Sequence, residues 1–89
     1  MPTIKEINKS IKLIERLIKY EENERARYNK AAWRLEHFLS EPLIKRVQTI
    51  YEKRLKYIDK ADYRIRKRLE KYKIELKKLQ QQYRNLSKN

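Results

Sequence analysis

The sequence predicts an all-α protein, a two-helix antiparallel coiled-coil hairpin, on three observations. Two long heptad series run through the 89 residues, a Ser40-Glu41-Pro42 break separates them, and the series mirror one another about that break. Residues 1–89 read as a single helical-hairpin domain, because a chain of this length supports one small core.

Helix 1 is expected over about 3–39. Thr3-Ile4-Lys5-Glu6 has the capping-box pattern, in which the Thr hydroxyl accepts from an orphan amide and the Glu reaches back. Ile4, Ile7, Ile11, Ile14 and Ile18 then recur at steps of three and four. The series continues through Glu21, Arg25, Tyr28, Ala32, Leu35 and Leu39. A break within Glu21–Glu24 would give three shorter helices instead, but no Pro or Gly marks a stop there.

The turn is expected at about 40–43. Ser40 reads as a new N-cap, and Pro42 suits a first helical turn, where an N–H has no partner anyway. Helix 2 is expected over about 43–86. Its seam starts at Ile44, Gln48, Tyr51, Leu55 and Ile58. It runs on through Asp62, Ile65, Leu69, Tyr72, Leu76 and Leu79 to Tyr83 and Leu86.

Folding at that turn sets Ile4 opposite Leu79, Ile18 opposite Ile65, Glu21 opposite Asp62 and Leu39 opposite Ile44. Each arm is then about 55 Å long at 1.5 Å per residue. Glu21, Arg25 and Asp62 fall in one structural polar layer, with Arg25 bridging the two carboxylates. Such a layer fixes register at some cost in stability. Beside the seam the same register brings Glu36 near Lys45 and Glu15 near Arg66.

Additional apolar residues gather near the turn: Trp33, Phe38, Leu43, Val47, Ile50 and Tyr57, with Phe38 facing Val47. A lone hairpin leaves most of them uncovered, so they are expected to form a dimer or partner interface. A homodimer packed as a four-helix bundle is the leading arrangement. A small local core at this end, or docking onto another protein, would cover them too.

Composition excludes most chemistry. The chain has no Gly, no Cys and one His, which removes phosphate loops, thiolate sites and a His-ligated metal centre. His37 stands beside Glu36 with no partner at a suggestive spacing, and no inward Glu-x-x-His pair occurs. Ser10, Ser40 and Ser87 lack any nucleophile context. No catalytic residue, metal or cofactor is expected, and the protein reads as non-enzymatic. No apolar run approaches the roughly 18 residues of a membrane span. The N-terminus lacks a signal pattern, so a cytoplasmic protein with no membrane partner is expected.

Charge points to the partner. The formal net charge is +13. Residues 1–42 hold nine basic and seven acidic side chains, whereas residues 43–89 hold sixteen and five. On the second helix the positions remote from the seam include Lys53, Lys56, Lys60, Arg64, Lys67, Lys71 and Lys78, interleaved with Tyr63. Arg64, Arg66, Lys67, Arg68, Lys71 and Lys73 are the densest cluster. Nine of the twelve acids lie in or beside the seam instead. A stripe of this kind meets nucleic-acid phosphates and releases counterions, with Tyr63 placed to stack on unpaired bases. DNA or RNA bound mostly through its backbone is therefore the expected partner. The plain alternative is a solvated coiled-coil surface, although such surfaces usually interleave signs. The competing function is a protein-protein interaction module, an adaptor or a mobile-element inhibitor. It would use the turn-proximal apolar patch, or bind an acidic protein through the basic face.

Overall fold

Capping decides where the chain first becomes helical. In the computed structural model, which describes residues 2–88, Thr3 is extended and its hydroxyl accepts from the Glu6 amide at 3.2 Å. Helix α1 follows over Ile4–Leu39, with Glu6 in its first turn against the positive end of the helix dipole. Thr3→Ala is expected to lower stability by about 1 kcal/mol. Thermal melting followed by circular dichroism checks this, with starting helix content unchanged. The helix runs unbroken through Glu21–Glu24, so the three-helix alternative does not occur.

The turn differs from expectation. Ser40 closes α1 as its C-cap rather than opening the next helix. Its amide donates to the carbonyls of Glu36 and His37 at 3.1 and 3.3 Å, and its hydroxyl to His37 at 2.6 Å. The reason lies two residues on: Pro42 disfavours helical backbone at Glu41, so the helix cannot continue and Ser40 is left to satisfy its last carbonyls. Pro42 and Leu43 lie outside both helices, and α2 spans Lys45–Ser87. Its N-cap is Ile44, which has no side-chain cap bond and is 76% exposed. Ile44 is therefore not a seam residue. Neither is the exposed Gln48, which donates to Glu52 Oε1 along its own helix at 3.1 Å.

The two helices pack antiparallel into a rod 68 Å long and 14 Å across, with no strand among the described residues. The buried core is thin, as a two-helix contact requires. It consists of Ile7, Ile11 and Ile14 from α1 and Ile58, Ile65 and Leu69 from α2, with Ile65 only 2% exposed.

The register is not the mirrored one. Arg25 meets Asp62, Glu21 meets Arg68, and Phe38 packs on Tyr51 rather than Val47 with ring centroids 5.8 Å apart. Each partner lies four to six residues further along α2 than the mirror sets it, close to a slip of one heptad. Such a slip keeps the remaining seam residues in place and loses Ile44 and Gln48 beside the turn, because the pattern repeats every seven. It gives the connection five residues to cross between the axes. It also brings Tyr83 and Leu86 level with the start of α1. The displaced pairs Glu36–Lys45 and Glu15–Arg66 do not form among the described residues.

Candidate nucleic-acid interface

With Ile58, Ile65 and Leu69 turned inward, helical geometry sends Lys53, Lys60 and Lys67 to the opposite side of α2. Lys56 and Tyr63 flank that line on one side, and Arg64, Lys71 and Lys78 on the other. All eight are exposed. Successive members of the central line stand about 10.5 Å apart at 1.5 Å per residue.

The ridge is uneven in its free charge. Among the described residues, Lys53, Lys56, Lys60, Arg64, Lys71 and Lys78 make no ion pair within 4 Å. Lys67 lies 3.9 Å from Glu70 Oε2, a long contact between two exposed groups that adds little. Its ammonium also sits 5.5 Å from the ring centroid of Tyr63, a residue that is 55% exposed.

Arg66 and Arg68 differ from the rest of the predicted cluster. Arg66 Nε lies 3.2 Å from Asp62 Oδ2 and Arg68 Nε 3.0 Å from Glu21 Oε1, each an ion pair. Each guanidinium is paired through Nε while its side chain stays about half-exposed, at 55% for Arg66 and 50% for Arg68. Arg66 takes the carboxylate one turn back on its own helix, whereas Arg68, beside the seam, reaches across to the facing helix. That reach was the available signal in the sequence, and heptad periodicity does not carry it.

The structural polar layer is accordingly rearranged. Arg25 Nε donates to Asp62 Oδ1 at 3.0 Å, but Glu21 is not bridged by Arg25 and takes Arg68 instead. Glu21 is buried, and its Oε2 has no hydrogen-bond partner among the described residues. The acids as a group are less internal than their spacing predicts. Only Glu21, Glu24 and Asp62 are shielded from solvent, while Glu15, Glu22, Glu36, Glu52, Asp59 and Glu75 are exposed. Five of those six follow the flank away from Arg64, so the outer ridge keeps its sign.

The six apolar residues near the turn do not make one patch. Trp33 is 67% exposed and stacks on His37 with centroids 5.8 Å apart, on the outer side of α1. Phe38, Ile50 and Tyr57 face a different direction, and Leu43 and Val47 are half-buried. Between the helices beside Tyr57 lies an open hollow of about 520 Å³, floored by Ala31, Leu35 and Ile58 and bordered by Arg34 and Arg54.

Among the described residues no cluster of His, Asp and Glu could hold a metal ion, and no helix is long and apolar enough to cross a membrane. Comparison with protein-family models, curated proteins and solved structures finds no match to this chain.

Proposed function

We propose that this protein binds nucleic acid, DNA or RNA, through phosphate contacts along the outer ridge of α2, and that it catalyses no reaction. One observation carries the reading. Six exposed cations, Lys53 to Lys78, share one side of one helix and have no acidic partner among the described residues. Mutual repulsion along such a row is relieved when phosphates replace bulk counterions. Point-charge lysines dominate the row, and it holds no Asn or Gln to read adenine, so the contacts favour backbone over sequence. The reading goes with a cytoplasmic protein.

Titration of labelled duplex and single-stranded DNA and RNA at several salt concentrations tests it. For six phosphates neutralised on duplex DNA, log affinity should fall with log salt at a slope of about −5. Binding with no salt dependence, or none at low salt, would overturn the proposal.

A further inference from the structure

We infer that the side of the hairpin carrying Phe38, Ile50 and Tyr57 is the face on which a second copy of this chain packs, turn beside turn. The inference stands on the apolar surface rather than on the basic ridge. Helical spacing aligns Leu13, Leu17, Tyr20 and Phe38 of α1 on the same side as Ile50 and Tyr57 of α2. All six are exposed, Tyr20 and Tyr57 to 61% and 66%.

Area agrees with a partner of this size. The chain exposes 7871 Å². A compact monomer of its mass exposes about 5,700 Å². From Leu13 to Phe38 the face is about 37 Å long, and two helices side by side are about 20 Å wide. That makes roughly 750 Å², close to what each partner gives to a standard stable interface.

Shape and charge select a second copy as the occupant. A two-fold axis along the rod sets α1 of one copy over α2 of the other at the same level. Tyr57 then meets the hollow beside the partner's Ala31, and Phe38 meets the partner's Ile50. Glu24 and Arg64 border one small polar pit of about 180 Å³, which puts them at one level. Yet among the described residues Glu24 pairs only with the exposed Arg27 on its own helix, at 3.3 Å, and not with Arg64. The same axis brings Glu24 to the partner's Arg64, twice per dimer. Lys56, Lys60 and Lys67 lie away from this face and stay open in the dimer, whereas Arg64 stands at its edge and turns to the partner's Glu24.

Sedimentation equilibrium of the full chain without nucleic acid, at micromolar concentration and moderate salt, tests this directly. The expected mass is twice the 11.2 kDa of one chain. Tyr57→Glu and, separately, Ile50→Glu should give monomers with unchanged circular dichroism, whereas Trp33→Glu should remain a dimer. A monomeric or tetrameric wild type overturns the inference, as does a Trp33→Glu variant that dissociates or a Tyr57→Glu variant that does not. The ridge variant Lys56→Glu/Lys60→Glu/Lys67→Glu should still be dimeric, which separates failure here from failure of nucleic-acid binding.

Discussion

Reversing Lys56, Lys60 and Lys67 together to Glu is expected to weaken nucleic-acid binding at least about 100-fold at physiological salt, with helix content unchanged. Each of the three stands on the outer side of α2, and among the described residues they serve only the long pair with Glu70 and the cation–π approach to Tyr63. The fold has little to lose, while the polyanion loses three favourable charges and meets three repulsive ones. The slope of log affinity against log salt should also flatten by about two units, one each for Lys56 and Lys60 among the six contacts counted. A control removes the simpler account of total charge. Lys5, Lys9 and Lys12 reversed to Glu change the net charge equally but lie on α1. If both triple variants lose the same affinity, the ridge is not the site.

Arg68→Met is expected to destabilise the hairpin by about 2–3 kcal/mol, measured by urea unfolding. Glu21 is buried and, among the described residues, Arg68 is the one cation paired with its carboxylate, so removing the guanidinium strands a charge inside. The full penalty of a broken buried pair is discounted here because the arginine side is half-exposed. Glu21→Leu should behave oppositely. It removes the buried acid and its unpaired Oε2 and lets Arg68 turn to solvent, so stability stays within about 1 kcal/mol of wild type or rises. The Glu21→Leu/Arg68→Met double variant should then recover most of the loss. A loss for Arg68→Met that Glu21→Leu fails to relieve would mean that Arg68 acts through packing alone.

The helices and their antiparallel pairing were legible because burial obeys the heptad: Ile7, Ile11, Ile14, Ile58, Ile65 and Leu69 all sit where the spacing sets them. The axial offset was not. Periodicity defines register only to within a repeat, and the deciding facts are local ones at the turn, where Pro42 forces Ser40 to end one helix and Ile44 to begin the next without a capping side chain. Knowledge of that five-residue crossing would have moved Glu21 from Asp62 to the neighbourhood of Arg68. The outer lysines were easier to locate, since any residue opposite the seam faces water whichever way the arms slide. Arg68 needed the reach of a side chain, which depends on the very offset the pattern leaves open. Asp62 and Arg66, by contrast, stand one turn apart on a single helix whichever way the arms slide.

On the proposed function, the straightness of the rod sets how much nucleic acid one chain would cover. A B-form duplex completes a turn in about 34 Å. A body 68 Å long laid alongside therefore shadows two turns. From Lys53 to Lys78 the ridge extends about 37 Å at helical rise, nearly one turn. A rigid bar cannot wind with a groove, so it touches the same strand face at intervals of a full turn. Saturation should accordingly set in near one chain per roughly 20 base pairs on each side of the duplex, and fragments much shorter than one turn should bind with only part of the ridge.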